Sequence, residues 1–158
     1  MIPSVIDYLL QLPEAMHFAK VHELCSDGIS SYRMLSDYGS GTFQLIEFEN
    51  NLLLILIGDY KPKDTFEKIT EISEDYMEIS QFETDSSSFK IGGRKRNQVD
   101  KGIYCYLNTQ KKTYTYCEGG KAVRFTKVIL SPQYFQTYFK LHDENNARRL
   151  SSARDYLL

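Results

Sequence analysis

From residue 42 onward the chain alternates short hydrophobic runs with small polar turns, and after Pro132 its apolar spacing lengthens to three and four. Runs at 43–49 and 52–57 flank Asn50-Asn51. That dipeptide tolerates the positive backbone angles of a tight hairpin. The second run is apolar throughout, which suits a strand covered on both faces. At 76–82 a period of two sends Met77 and Ile79 to one face, and Tyr76, Glu78, Ser80 and Phe82 to the other. Polar loops are expected at 84–88 and 92–97. Aliphatic and aromatic residues alternate at 103–107, and tyrosine alternates with small residues at 114–117. Gly119-Gly120 then turns the chain into a long strand over 122–130. Short strands spaced in this way predict an antiparallel sandwich or barrel.

Both flanks of this region differ from it. Segments 5–12, before Pro13, and 14–25 predict two short helices, and Gly28, Asp37, Gly39 and Gly41 punctuate an irregular lead-in. Beyond Ser131-Pro132, residues Tyr134, Phe135, Tyr138, Phe139 and His142 share one helical face. A second helix is expected from Asp143, with Asp143 and Glu144 at its start and Arg148 and Arg149 later, the order that suits a helix dipole. Its stripe of Ala147, Leu150, Ala153 and Leu157 reaches the last residue without a glycine or proline to stop it. It reads as a helix cut short, or as part of a longer chain. The expected division is a lead-in over 1–41, a β domain over 42–131 and a helical segment over 132–158.

At 158 residues the chain has the length of one domain with a sizeable core. Twelve tyrosines and nine phenylalanines, with no tryptophan, favour strands. A formal charge of -2 argues against a segment whose task is to grip nucleic-acid phosphates. Cys25, Cys105 and Cys117 form no CxxC pair, and their odd number does not suit a disulfide framework. Cys105 and Cys117 are read as reduced core thiols rather than a bridge across a hairpin. The amino terminus lacks a basic start and carries Asp7 early, unlike a signal peptide. The longest apolar run, 52–57, is too short to span a bilayer. A cytoplasmic protein without membrane contact is expected.

Catalytic chemistry finds little support. The histidines, His17, His22 and His142, all lie outside the strand region, and a metal-binding barrel needs imidazoles on its strands. No GxSxG elbow is present, and neither Cys105 nor Cys117 has a neighbouring base. Glu47, Glu49, Glu78 and Glu83 are read as strand-face carboxylates rather than an acid–base pair. Gly92-Gly93-Arg94-Lys95-Arg96 lacks the strand–loop–helix setting of a phosphate loop. No catalytic residue, metal or cofactor is assigned. Tyr104, Tyr106, Tyr114 and Tyr116 fit a ligand-stacking wall and cross-strand packing equally well. Strand alternation offers Glu78, Ser80, Tyr104, Tyr106, Tyr116 and Arg124 as pocket candidates. Tyr134, Tyr138, Phe139, Leu150 and Leu157 are candidates for helix packing and a dimer face.

One group of stretches resembles the amino-terminal, effector-sensing half of an arabinose-type (AraC family) transcriptional regulator. They are Phe43-Gln44-Leu45-Ile46-Glu47-Phe48, Gly58-Asp59-Tyr60 and Glu78-Ile79-Ser80-Gln81-Phe82. The fullest is Tyr116-Cys117-Glu118-Gly119-Gly120-Lys121-Ala122-Val123-Arg124-Phe125-Thr126-Lys127-Val128-Ile129-Leu130, followed by Ser131-Pro132-Gln133-Tyr134-Phe135. The resemblance spans most of 42–139. It implies a cupin-like jelly roll, an antiparallel double-stranded barrel followed by C-terminal helices. It further implies a small effector, such as a sugar or other metabolite, inside the barrel and a homodimer through the helices. In that family DNA is read by a carboxy-terminal helix-turn-helix domain, which this sequence lacks. Two other readings remain: a free-standing carbohydrate-binding jelly roll, and a metal-dependent cupin enzyme.

Overall fold

The computed structural model describes residues 1–93, 95–109 and 112–138. Helix α1 (Val5–Ala15) starts at Ser4, whose hydroxyl accepts the Asp7 N–H at 3.2 Å and donates to the Asp7 carboxylate at 2.7 Å. This N-cap satisfies a donor that the first turn cannot pair. Val5, Leu9 and Leu12 bury one side of the helix. Contrary to the expectation of two helices broken at Pro13, the helix continues through Pro13 to Ala15. His17, at φ 62°, then turns the chain in the left-handed region that commonly ends a helix. The expected helix over 14–25 is replaced by strand β1 (Phe18–Lys20) and a 3-10 turn (His22–Leu24).

Ten further strands follow: β2 (Ile29–Met34), β3 (Gly39–Phe48), β4 (Leu53–Pro62), β5 (Phe66–Thr70), β6 (Asp75–Phe82), β7 (Ser87–Ile91), β8 (Asn97–Val99), β9 (Gly102–Thr109), β10 (Thr113–Cys117) and β11 (Val123–Leu130). Helix α2 (Pro132–Tyr138) comes last among the described residues. The lead-in thus holds a helix and two strands, with β3 already begun at Gly39. Both expected loops are shorter than predicted, because β7 takes Ser87 and Ser88 and β8 takes Asn97. The β3–β4 hairpin turns at Glu49, Asn50 and Asn51, all with positive φ, as the asparagine pair predicts.

Two antiparallel sheets result. One orders its strands β1-β2-β3-β4-β11-β6-β9 and the other β5-β10-β7-β8. From β4 to β7 the chain changes sheet at every step, and after the β7–β8 hairpin it alternates again through β9, β10 and β11. Strand β11 closes the pattern by inserting between β4 and β6. This strand order is that of a jelly roll, two Greek keys folded face to face.

The core lies between the sheets at the β3–β4–β11 side. Phe43, Leu45, Leu54, Leu56, Val123 and Ile129 are buried there, and Phe18, Tyr60 and Phe125 meet edge to face or tilted around Phe43. Glycine is required twice. At Gly58 a Cβ would stand 2.6 Å from the Phe125 ring; at Gly41, with φ 123°, it would strike the backbone of Asp59 and Tyr60. Leu53, Ile55 and Ile57 alternate with buried Leu54 and Leu56 and are half-buried on the outer face, so the all-apolar run serves both faces of the sheet.

Cys117 is buried on β10, whereas Cys105 is exposed on β9, in the opposite sheet. The reading of Cys105 as a core thiol is therefore corrected: Tyr104 and Tyr106 take the inward positions of β9, and alternation turns Cys105 outward. On α2, the rings of Tyr134 and Tyr138 lie 4.8 Å apart. Phe139, Leu150, Leu157 and the helix expected from Asp143 lie outside the described residues. Among the described residues no helix is long and apolar enough to cross a membrane.

Candidate functional site

Packing between the sheets changes character from one side to the other. Toward β3 and β4 the inward residues are apolar and sealed. Toward β5, β6, β9 and β10 they become polar, and Lys68, Thr70, Glu78, Tyr104, Tyr106 and Thr113 keep partial exposure. Cross-strand register explains the grouping. Lys127 on β11 stands opposite Ser80 on β6, which stands opposite Tyr104 on β9. One row along, Ile129, Glu78 and Tyr106 are aligned in the same way.

An ion pair forms the centre of this polar side. The Lys127 ammonium donates to Glu78 Oε1 at 2.7 Å, and the Ser80 hydroxyl donates to the same oxygen at 2.5 Å. The two charged side chains keep 24% and 16% of their exposure, and Ser80 is buried. Lys127 Nζ also lies 5.3 Å from the centre of the Phe82 ring and 5.4 Å from that of Phe125. Ring faces carry negative quadrupole charge and stabilise a cation held there. Burial alone pushes the Glu78 carboxyl up. The charge and hydrogen bond of Lys127, the Ser80 hydroxyl and the charge of Lys68 outweigh it, leaving Glu78 below its usual value.

Further hydroxyl groups lie on the same side of the interior. Tyr106 Oη lies 3.4 Å from both Asn108 Oδ1 and Thr113 Oγ1, and so bridges the two sheets. From α1, Tyr8 Oη meets Thr70 Oγ1 at 2.7 Å, and Lys68 Nζ lies 6.0 Å from the centre of the Tyr8 ring. Burial holds the Tyr76 hydroxyl protonated well above its usual range, with further upward pushes from Glu78, Tyr106 and Tyr8.

Of the six pocket candidates from strand alternation, Glu78, Ser80, Tyr104 and Tyr106 come together on this inward face. Tyr104 closes its far end: its hydroxyl donates to Asp100 O at 2.9 Å and accepts the Asp100 N–H at 3.0 Å, and its ring meets Phe82 edge on at 5.8 Å. Tyr116 and Arg124 do not join them. Tyr116 lies outside the second sheet beneath the Arg96 guanidinium, 4.8 Å from its ring centre, where Arg96 also pairs with Glu67 at 2.7 Å. Arg124 is exposed and pairs with Asp59 and Glu83 at 3.4 and 3.7 Å. In both cases the inward position belongs to the neighbouring buried residue, Cys117 or Phe125. Two central residues escaped the sequence reading. Lys127 had a signal, a charge in phase with Phe125 and Ile129 on β11. Lys68 had a weaker one, because 66–70 carries no strong hydrophobic alternation.

A cavity of about 240 Å³ lies against β5, lined by Met16, His17, Met34, Tyr38, Phe66 and Lys68 among others. His17 and Tyr38 stack there with ring centres 3.7 Å apart. Among the described residues no three His, Cys, Asp or Glu side chains converge as a metal site would require.

The strand order and the polar interior define a jelly-roll domain with charged groups between its sheets. No protein-family model matches the sequence, and no curated protein is similar to it. Solved structures similar to the fold include the cupin domain of Schizosaccharomyces pombe Cnp3, with 11% identity over 65% of this chain and 72% of that one, at a TM-score of 0.46. A predicted oxalate decarboxylase from Thermotoga maritima is similar at 16% identity over 68% and 96% of the two chains, with a TM-score of 0.44. A transcriptional regulator of the HTH_3 family from Vibrio cholerae shares 8% identity over 57% and 51%, at a TM-score of 0.41. The fold assignment rests on the strand order itself.

Proposed function

We propose that this chain is the ligand-sensing and dimerisation domain of a DNA-binding transcription regulator of the arabinose type, taking a small effector between its sheets. The observation that carries the reading is the Glu78–Lys127 pair with Ser80 in the interior. A buried ion pair is a poor way to stabilise a fold, since apolar residues of similar volume generally do as well or better. Charges kept inside, beside hydroxyls and partly open to solvent, suit recognition instead. The resemblance over 42–139 supports the regulatory role. In this reading the domain is not an enzyme.

In this reading DNA contact belongs to a separate helix-turn-helix domain. Effector binding acts on it through the segment that starts at Pro132, directly after β11, the strand that carries Lys127. The ligand shifts the regulator only as far as its affinity differs between two arrangements of that segment. The test is a thermal-shift screen against sugars, amino acids, carboxylates and aromatic metabolites, with and without chelator. A ligand at a hundred times its dissociation constant raises stability by about 2.7 kcal/mol. In a domain of this size that is roughly 5 to 10 °C. A chelator-insensitive shift that Lys127→Met abolishes supports the sensor. Destabilisation by chelator alone would replace it with a metal-dependent enzyme.

A further inference from the structure

The inward faces of the described strands carry three ionisable charges near one another: the ammonium groups of Lys127 and Lys68 and the carboxylate of Glu78. Glu78 is paired, since one of its oxygens receives both Lys127 and Ser80. Lys68 is not. It is half-buried on β5 in phase with Phe66 and Thr70, opposite Thr115, with its ammonium over the Tyr8 ring. Among the described residues no acid lies within 4 Å of it; neighbouring Glu67 faces outward and is held by Arg96. The polar side of the interior therefore carries a surplus positive charge, part of it beside the Phe82 ring.

We infer that the ligand of this interior is a small-molecule carboxylate, held between Lys68 and Lys127 with its carbon skeleton against Phe82 and Tyr106; this rests on the sensing reading above. A neutral ligand would leave the Lys68 charge half-buried and uncompensated. A carboxylate neutralises it through a charge-assisted hydrogen bond, stronger than a neutral one. Glu78 competes with the incoming carboxylate for Lys127, so the internal pair sets a threshold that the ligand must overcome. The influence of Lys68 on Glu78 places the two ammonium groups within electrostatic reach of the same carboxylate.

The test is titration calorimetry with acetate, benzoate and octanoate, each against its primary amide, together with glucose and arabinose as neutral probes. At least one acid is expected to bind, with its amide tenfold weaker or more. Lys68→Met, which leaves the Glu78–Lys127 pair in place, should weaken the acid at least tenfold, and Lys68→Arg should retain most of the affinity. Glu78→Gln should tighten the acid by freeing Lys127. Equal binding of acid and amide, binding of a sugar alone, or an unchanged affinity in Lys68→Met would overturn the carboxylate inference and leave the sensor standing. If no acid, amide or sugar binds the wild-type chain, both readings fall.

Discussion

Replacing Lys127 by methionine removes the cation from the interior ion pair and strands Glu78. The Ser80 hydrogen bond and the distant charge of Lys68 remain, and burial still disfavours the carboxylate. Stranding one member of a buried pair typically costs 3–5 kcal/mol. The 16% exposure left to Glu78 lets water share the charge, so a loss of about 3 kcal/mol is expected, at the lower edge of that range. Glu78→Gln should cost less, about 1–2 kcal/mol, because Lys127 keeps its place over the Phe82 and Phe125 rings. The double variant removes both charges together and should be more stable than the sum of the single losses predicts, by at least about 1.5 kcal/mol. Urea unfolding of the four proteins at pH 7, extrapolated linearly to water, measures all three quantities. If the single losses add to the double loss within about 0.5 kcal/mol, the two side chains are not coupled and the site description is wrong.

Stability should also depend on pH through the same pair. Glu78 lies below its ordinary value in the folded chain, so its contribution is fully present above the unfolded carboxyl value and is lost as pH falls through the folded one. In Lys127→Met the two largest influences that lower Glu78 are gone, so this loss of stability on acidification should shrink; acid titration of unfolding in both proteins checks it. Gly41→Ala should destabilise by about 3 kcal/mol or more, since its Cβ would strike the backbone of Asp59 and Tyr60 at a positive φ; a thermal midpoint close to wild type would contradict that contact. A thiol reagent applied to the native protein should label Cys105 readily and spare Cys117 until unfolding, and mass mapping of the labelled peptides decides it. Phe43→Ala, at the centre of the buried aromatic group, should cost about 3–5 kcal/mol in urea unfolding.

Sequence alone determined what depends on neighbours along the chain. Period-two alternation at 76–82 placed Tyr76, Glu78, Ser80 and Phe82 on one face, because successive strand residues must point to opposite sides. Asn50-Asn51 marked a hairpin, because its backbone angles are a local property. The shift to helical spacing after Pro132 was equally visible. Alternation divides a strand into two faces, but it does not say which face turns inward. Pattern alone therefore leaves Tyr116 and Arg124 eligible for the interior, and the structure gives those inward positions to Cys117 and Phe125. Nor does local pattern carry strand β11 between β4 and β6, since that pairing joins segments far apart in the chain. Only that insertion sets Lys127 against Glu78, 49 residues away, and only the facing of the two sheets brings the charge of Lys68 to bear on the same carboxylate. A charge in phase with buried residues was legible in the sequence; the partner that makes it a site was decided by tertiary structure, because electrostatic attraction acts through space.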